Sequence, residues 1–466
     1  MHYITYFRDM KMKLQLLIVL FLITGTSRAQ DQDSVMIKKI FDHTLTQASA
    51  YEWLRHLCLS IPPRLSGSEG AQQAVEYTYN ELNKIGADSV WLQSVMVPHW
   101  ERGHEKAILQ TSNGSQQPLT ITTLGGSVGT SEEGITANVI QVNSFEEFEK
   151  LPASSVKGKI VFFNYPMNPT FYNTFQAYGD AVKYRWRGAM VAAQKGAVAV
   201  MVRSMTQSND DHAHTGSMGY VDSITKIPAC ALSLTAVETL RTILRKDPSL
   251  KVTLIMGCKL FPDAQSYNVI ADLRGSEKPE EIIIAGGHLD AWDNGQGAHD
   301  DGAGCVQSMQ VLKTFIELGI KPKRTIRIIL FMNEENGLRG GKAYAEYAEM
   351  NDNEKHIAAI ESDAGGFSPR GFGADGPADK VEKIKSYQPK LEAFGLHDWE
   401  KNWGGADINP LKPLGTVVVG LVPDSQRYFD YHHASSDTFD KINKRELELG
   451  AASISSLVYL LAEYGF

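Results

Sequence analysis

Histidine and acidic residues that could hold metal ions occur in five short stretches of the sequence. These residues are His288 and Asp290, Asp300, Glu334 and Glu335, Asp363, and the pair His432 and His433. Imidazole nitrogens and carboxylate oxygens together are a donor set typical of zinc. A two-zinc site also needs one carboxylate that bridges both ions and another that stays off the metal as a general base. Each stretch alone is typical of a solvated turn or helix start, and their combination predicts the metal site.

The elements that must position these residues follow from the hydrophobic pattern. Apolar runs predict strands at 268–273, 281–286, 325–332, 356–361 and 416–421, and helices at about 304–318, 341–350, 381–394 and 446–464. Strands that alternate with helices indicate an α/β sheet with helices on both faces. Sites in such sheets form just beyond the carboxyl ends of the strands, where all five stretches fall.

Length and composition limit the classes of protein to consider. A chain of 466 residues exceeds what one core usually holds and predicts two domains. Hydrophobic residues make up 43% and charged residues 21%, which is typical of a globular protein. The formal net charge is -8 and the sequence has no basic stripe, so we expect no nucleic-acid partner.

The N-terminal segment, residues 1–29, has the pattern of an export signal. Lys11 and Lys13 precede an apolar run at 16–23, and small residues flank Arg28 before a cleavage site near Ala29. The apolar run is shorter than the roughly 20 residues that span a bilayer. We therefore expect a secreted or periplasmic protein without a stable membrane anchor; an N-terminal anchor or a buried helix is the alternative.

The middle of the chain, residues 119–260, differs in character from the rest. It consists of short apolar runs broken by glycine, and its two neighbouring histidines, His212 and His214, lack further ligands and indicate a solvated loop. An oxidising compartment would permit a disulfide between Cys230 and Cys258, and buried free thiols are the alternative.

The metal-binding stretches resemble motifs of the M28 family of metallopeptidases. The similar segments are Gly287-His288-Leu289-Asp290, Gly297-Ala298-His299-Asp300-Asp301-Gly302, Asn333-Glu334-Glu335 and Glu361-Ser362-Asp363. Segments 63–68, 98–103 and 321–325 are similar to the plasma glutamate carboxypeptidase (carboxypeptidase Q) group within that family. The resemblance implies a zinc-exopeptidase α/β/α sandwich with a mixed central sheet, built from residues 30–118 and 261–466. It also implies that residues 119–260 are an inserted protease-associated (PA) domain that covers the cleft and restricts substrate size.

The resemblance also assigns roles to individual residues. The zinc ligands that it implies, for two zinc ions per chain, are His288, Asp300, Glu335, Asp363 and His433. Asp300 would bridge both ions, and the peptide bond after it would be cis. Glu334 would be the general base, and Asp290 would orient the ring of His288 from behind the metal.

The last histidine ligand has two candidates in the sequence. The family places an acidic residue four positions after this ligand, and Asp437 stands at that distance from His433. We therefore favour His433 over His432. The chain departs from the family at Ala406-Asp407-Ile408, where many members have Ser-Asp-His, so the substrate preference stays open.

The resemblance implies an exported exopeptidase that hydrolyses dipeptides or terminal residues of short peptides with a zinc-activated water. The sequence leaves open whether it acts as a dipeptidase, an aminopeptidase or a carboxypeptidase. An amidohydrolase or a one-zinc glutaminyl cyclase on the same fold is an alternative. A binding protein without activity is another, although such proteins lose ligands or the base. Members of the group form homodimers, which we also expect here.

Overall fold

The computed structural model describes residues 32–466. The export signal predicted at residues 1–29 lies outside this part of the chain. Among the described residues, no helix combines the length and the apolar character needed to cross a membrane.

The strands of the described chain form two separate sheets. In chain order the strands are β1 (Ser89–Glu101), β2 (Glu105–Gln110), β3 (Gln116–Leu119), β4 (Ile121–Thr123), β5 (Ile135–Val142), β6 (Ile160–Phe163), β7 (Ala199–Arg203), β8 (Ala229–Leu232), β9 (Lys251–Met256), β10 (Lys259–Leu273), β11 (Lys278–His288), β12 (Arg324–Phe331), β13 (Lys355–Glu361), β14 (Pro369–Asp375) and β15 (Val417–Pro423).

The helices of the described chain range from one turn to twenty-one residues. They are α1 (residues 32–47), α2 (Ala50–Leu59), α3 (Glu69–Ile85), α4 (Phe145–Glu149), α5 (Ala153–Val156), α6 (Thr174–Gln194), α7 (Leu234–Lys246), α8 (Ala303–Glu317), α9 (Arg339–Met350), α10 (Ala378–Lys385), α11 (Gln388–Leu391), α12 (Tyr428–Tyr431) and α13 (Lys444–Tyr464). Short 3₁₀ helices lie at Glu392–Phe394, Asn409–Leu414 and Phe439–Lys441.

The first sheet has seven strands in the order β1-β10-β12-β11-β13-β15-β14. The neighbours β12, β11, β13 and β15 are parallel, whereas β1, β10 and β14 join antiparallel at the two sides. This confirms the predicted mixed α/β fold. Because the four central strands are parallel, their carboxyl ends share one edge of the sheet.

Helices cover both faces of the first sheet. Ile283 and Ala285 of β11 point into a core that includes α3, α8 and α13, while Ile282 and Ile284 point into a second core with α9. Successive residues of a strand face opposite sides, so an unbroken apolar run such as 282–285 requires apolar neighbours on both faces. The first sheet is therefore the middle of three layers.

The second sheet has eight strands in the order β3-β2-β9-β5-β6-β7-β8-β4. Along the chain, the first strand of this sheet is β2, which begins at Glu105. The unit that carries the sheet therefore starts before the boundary predicted at residue 119. The reason is that Ala107 and Leu109 of β2 bury their side chains in the core of the second sheet, where β2 pairs with β9. The chain then returns to the first sheet through β10.

All four cysteines are buried free thiols. Cys230 lies in the core of the second sheet, and the thiol of Cys258 donates a hydrogen bond to the carbonyl oxygen of Ser127 at 3.2 Å. The structure therefore shows the second of the two alternatives, buried thiols rather than a disulfide.

Two local features differ from what the sequence predicts. The helix expected at 381–394 is divided into α10, α11 and a 3₁₀ turn. Strand β14 was not predicted, because its two glycines and its proline are typical of a loop. It forms because β15 offers it a free antiparallel edge.

Candidate active site

The ends of three parallel strands bring the predicted metal-binding residues together. His288 is the last residue of β11, the pair Glu334-Glu335 follows β12, and Asp363 follows β13. His288 is paired with Phe331 across the β11–β12 ladder, and β13 lies on the other side of β11. The shared sheet edge thus places residues distant in the sequence around one point.

One group of donor atoms surrounds the ring of His288. Its Nε2 lies 3.2 Å from Oδ1 of Asp300 and 3.6 Å from Oδ1 of Asp363. These three residues have ligand atoms close enough together to hold one metal ion.

A second group lies on the other side of Asp300. Oδ2 of Asp300 is 3.3 Å from Nε2 of His433, and the same nitrogen is 3.1 Å from Oε2 of Glu335. Nε2 of His432 is 3.7 Å from Oδ2 of Asp300, and the rings of His432 and His433 stack with their centroids 3.5 Å apart. The two carboxylate oxygens of Asp300 therefore face different donor groups, as a bridging ligand requires.

The loop that carries Asp300 is fixed by neighbouring acidic residues. The peptide bond between Asp300 and Asp301 is cis, as the resemblance implied. Asp437 accepts hydrogen bonds from the main-chain N–H groups of His299 and Asp300. Asp301 accepts from the N–H groups of His288 and Gly304, which joins the end of β11 to the start of α8.

Asp290 is placed differently from a simple partner of the His288 ring. Nδ1 of His288 lies 2.9 Å from the main-chain carbonyl oxygen of Asp290 and 3.9 Å from its carboxylate. The carboxylate instead accepts hydrogen bonds from the N–H groups of Asn333, at 2.7 Å, and Glu334, at 3.1 Å. Asp290 thus holds the ring through its main chain and positions Glu334 through its side chain.

The buried acidic groups of the site favour a positive charge beside them. Burial raises the pKa of Glu334 to about 8, and it raises the pKa values of Glu335 and Asp363 as well. Neighbouring carboxylates add to each of these shifts, because like charges in a shared site oppose each other's ionisation. A bound cation would relieve this repulsion.

The donor atoms fit metal ions. Oδ2 of Asp300 is buried and accepts no hydrogen bond from any residue in the range 32–466. A buried carboxylate oxygen without a partner is costly, and coordination to a cation satisfies it. Imidazole nitrogen and carboxylate oxygen in both groups suit zinc, with cobalt and manganese as chemically similar alternatives.

Comparison with known proteins gives the family. The model of peptidase family M28 matches residues 268–458. Carboxypeptidase Q of Rattus norvegicus is 37% identical over 418 residues, which are 90% of this chain and 86% of the rat protein. Carboxypeptidase Q of Homo sapiens is 34% identical over 417 residues, again 90% of this chain and 86% of the relative. The chain belongs to peptidase family M28.

Solved structures agree with this family. The crystal structure of a peptidase M28 precursor from Shewanella amazonensis has a TM-score of 0.88 at 34% identity and covers 93% of this chain and 97% of its own. A zinc aminopeptidase from Bacillus subtilis shares the fold, with a TM-score of 0.63 at 20% identity, and covers 88% of this chain and 94% of its own. As a member of family M28, the chain is a metallopeptidase, a hydrolase of peptide bonds.

The candidate metal-binding residues line a cavity of about 640 Å³, here called the cleft. Its wall includes residues of the second unit, the part of the chain that carries the eight-stranded sheet. Among them are Tyr178, Arg185 and Ser217. The hydroxyl of Ser217 donates to the main-chain oxygen of Glu335 at 2.5 Å, and Nη1 of Arg185 lies 3.4 Å from Nδ1 of His433. Both units therefore contribute side chains to the candidate active site.

Arg64 has no role that the sequence predicts, and it lies far from the candidate metal-binding residues in the chain. Its side chain is buried and donates hydrogen bonds to the main-chain oxygens of Leu289, Gln296 and Gly297. Arg64 thus fixes the loop between β11 and Asp300. A buried arginine is unusual. The signal for it in the sequence was its position in segment 63–68, which is similar to the carboxypeptidase Q group.

Proposed function

We propose that this chain is an exported two-zinc exopeptidase that hydrolyses dipeptides or terminal residues of short peptides. The observation that carries the proposal is the position of Asp300, whose two carboxylate oxygens face two separate histidine-containing donor groups. In this assignment His288 and Asp363 would hold one zinc, His433 and Glu335 would hold the other, and Asp300 would be a ligand of both. We favour His433 over His432 because its Nε2 is the nearer to Asp300 and also reaches Glu335.

Glu334 is the general base in this proposal. Zinc ions bound at the site would polarise the peptide carbonyl and acidify the attacking water. Glu334 lines the cleft beside both donor groups, and the Asp290 carboxylate holds its main chain. Its carboxylate accepts the proton of the attacking water and then delivers this proton to the departing amine. Burial raises the pKa of Glu334, which makes its carboxylate a stronger base for the first transfer, from water to Glu334.

The second unit restricts the size of the substrate. We assign it as the inserted PA domain, on the support of its position between the two parts of the first sheet and of its contacts at the site. Ser217 and Arg185 come from this unit, and they touch Glu335 and His433. A cleft walled by two units admits short peptides and chain ends more readily than folded chains, which favours exopeptidase action.

The experiment compares the parent enzyme with Glu334→Gln. Each protein is loaded with zinc, its metal content is counted, and hydrolysis is measured on dipeptides with free and with blocked ends. Glu349→Gln, on the exposed side of α9, is the matched control. We expect about two zinc ions per chain in all three proteins and activity in the parent and the control alone, with Glu334→Gln reduced at least about 100-fold.

The blocked substrates show which chain end is recognised. Loss of hydrolysis on blocking the amino end indicates an aminopeptidase, loss on blocking the carboxyl end a carboxypeptidase, and loss on either a dipeptidase. One zinc or none in the parent, or full activity in Glu334→Gln, would contradict the two-zinc proposal.

Export and assembly are separate parts of the proposal. We expect the mature chain outside the cytoplasm, with its first residue close to position 30, which cell fractionation and N-terminal sequencing test. We also expect a homodimer, which size-exclusion chromatography with light scattering tests. A chain retained in the cytoplasm with residues 1–29 intact would contradict the export signal.

A further inference from the structure

Residues 212–217 of the second unit, here called the contact segment, lie beside the stretch that carries the candidate ligand His433. That stretch belongs to the first unit, the part of the chain that carries the seven-stranded sheet. His214 and Ala434 form an antiparallel bridge between the two. The main-chain N–H of Thr215 donates to the carbonyl oxygen of His433 at 2.9 Å. The contact segment is therefore joined through the main chain to the loop of the two neighbouring histidines.

His214 is buried within the contact segment, although the sequence predicts a solvated loop here. Its Nδ1 lies 2.7 Å from the carbonyl oxygen of His432. Because a carbonyl oxygen can only accept, Nδ1 carries the ring proton and donates the hydrogen bond. The main-chain N–H of His214 donates to the hydroxyl of Ser204, which in turn donates to the carbonyl oxygen of Leu232 in β8. His214 thus connects the main chain of His432 to a strand of the eight-stranded sheet.

The main chain of His433 is supported by both units. Its φ of 62° lies in the left-handed region, which residues other than glycine rarely adopt. Such a conformation persists where the surrounding contacts fix it. The carbonyl oxygen of His433 accepts from the N–H of Thr215 at 2.9 Å and from Nδ2 of Asn294 at 3.1 Å. One donor comes from each unit, so the contact between the units sets the direction of the His433 ring.

Gly216 brings the contact segment directly against the ring of His433. A Cβ atom at position 216 would lie 2.7 Å from Nδ1 of His433 and 2.3 Å from Nη1 of Arg185. The φ of Gly216 is +128°, a conformation that residues with a Cβ atom rarely adopt. Glycine is therefore required here, because any side chain would displace the ring or the guanidinium.

The contact segment also reaches the second candidate ligand of the same metal group. The hydroxyl of Ser217 donates to the main-chain oxygen of Glu335 at 2.5 Å. Oε2 of Glu335 in turn lies 3.1 Å from Nε2 of His433. One short segment of the second unit thus holds the main chains of both residues, and moving that unit would change the distance between their donor atoms.

The other metal group is built within the first unit. Apart from its neighbours in the sheet, the residues in the range 32–466 that hydrogen-bond or pair with His288 are Asp290, Asp300, Asp301, Cys305 and Asp363. All five belong to the first unit. The two metal groups therefore differ in what positions them, since the first unit alone holds His288 and both units together hold His433.

We propose that the contact segment positions His433 and Glu335, so that one of the two zinc ions binds tightly only when the second unit is docked on the first. His214 and Thr215 are positioning residues, because they act through the main chain of the histidine pair. Such coupling is reciprocal: an ion that binds more tightly when the units are docked also strengthens their docking, to the same degree. The inference rests on the proposed two-zinc site and deepens it.

The test replaces His214 and measures the affinity for each zinc ion. His214→Phe keeps an aromatic ring but loses the N–H that donates to His432, whereas His214→Asn keeps an N–H donor on a shorter side chain. The mature chain of each protein is stripped of metal and titrated with zinc against a chromophoric chelator. We expect His214→Phe to bind one ion as the parent does and the other at least about 10-fold more weakly. We expect His214→Asn to restore most of the lost affinity.

His397→Phe is the matched control. Nδ1 of His397 lies 2.9 Å from the carbonyl oxygen of Gly395 on an exposed turn. This variant therefore loses the same kind of hydrogen bond outside the contact between the contact segment and the histidine pair. We expect it to bind both zinc ions as the parent does. A thermal melt of each metal-free protein shows that it is folded.

Hydrogen exchange in the parent tests the reciprocal effect without any substitution. Exchange of the main-chain amides at 212–217 is followed with zero, one and two equivalents of zinc per chain. We expect the first equivalent to slow exchange around His288, because that group forms within one unit. We expect the second equivalent to slow exchange in the contact segment, because local opening becomes rarer once the units are held together.

Three results would overturn the inference. They are equal weakening of both ions in His214→Phe, parent affinity for both ions in that variant, and exchange at 212–217 that does not change with zinc. If the parent binds two zinc ions in these cases, the two-zinc proposal stands. A parent that binds fewer than two would overturn both.

Discussion

Oδ2 of Asp437 accepts a hydrogen bond from the main-chain N–H of Asp300 at 3.1 Å, while its Oδ1 accepts from His299 at 2.8 Å. Asp437, the acidic residue four positions after His433, thus positions Asp300, the residue that faces both donor groups. One carboxylate connects the last metal-binding segment to the bridging one, across more than a hundred residues of chain.

The first prediction concerns this link. In Asp437→Asn one of the two acceptor oxygens becomes an NH₂ group, which cannot accept from the main chain, so the Asp300 loop loses part of its support. We expect zinc affinity or kcat to fall about 10- to 100-fold, as for other residues that support metal ligands. Metal titration with a competing chelator measures the affinity. Asp440→Asn, on the exposed turn that follows, is the control; equal zinc affinity in both variants would contradict the role of Asp437.

The second prediction separates the two neighbouring histidines. His433→Ala removes the nitrogen that reaches both Asp300 and Glu335, and we expect about one zinc ion fewer per chain together with loss of activity. His432→Ala removes a ring that stacks on His433, and we expect it to retain about two zinc ions with reduced activity. The metal content of both purified variants shows which of the two histidines is the ligand. The reverse pattern would assign the ligand to His432.

The third prediction concerns removal of the metal. Burial and the repulsion of neighbouring carboxylates, Asp300 among them, raise the pKa values of Glu335 and Asp363, and a cation bound to the folded state would offset this repulsion. Ligands that bind the folded state alone stabilise it, by about 2.7 kcal/mol at 100 times the dissociation constant. We therefore expect chelation to lower Tm and added zinc to restore it. An unchanged Tm on complete removal of zinc would contradict this account of the site.

The fourth prediction concerns the opposite end of the central strands. The buried guanidinium of Arg327 donates to both Asp272 and Glu354, so Arg327→Met would leave two carboxylates without their shared cation. Breaking such a buried pair costs about 3–5 kcal/mol. Arg241→Met breaks an exposed pair with Glu238 on α7 and should cost no more than about 1 kcal/mol. Denaturant unfolding of both variants measures the free energies, and equal losses would show that the network contributes little.

The fifth prediction concerns pH and His356. Burial lowers the pKa of His356 to about 4, and the nearby Arg327 adds to this, while Glu354 opposes it. Below about pH 6.5 His356 is protonated in the unfolded chain, whereas in the folded chain it is protonated only below about pH 4. The free energy of unfolding therefore falls as the pH is lowered between these two values. The contribution is at most about 3 kcal/mol.

The comparison with His356→Gln isolates this contribution. Glutamine can still hydrogen-bond to the hydroxyl of Tyr344, which lies 2.8 Å from Nε2 of His356, but it does not titrate. We expect the variant to lose less free energy of unfolding than the parent between pH 6.5 and pH 4. Parallel slopes in the two proteins would contradict the buried neutral state of His356.

Much of the central sheet follows from the sequence, because its strands are buried on both faces. Runs such as 282–285 and 326–331 have no polar residue that a single-faced strand would show, apart from Arg327, and they predict parallel strands between helices. The hydrophobic pattern does not predict strand β14. Its pattern carries little apolar signal, and it becomes a strand through the edge that β15 offers.

The sequence by itself determined the types of the candidate metal-binding residues and their places at strand ends, because those depend on local pattern and on the general geometry of parallel sheets. Only the tertiary structure decided which atoms meet: the two oxygens of Asp300 facing opposite groups, Asp290 supporting Glu334, and Arg64 and Arg185 approaching from distant segments. Such contacts join residues tens to hundreds of positions apart, and their geometry follows from how helices and sheets pack together rather than from any local spacing.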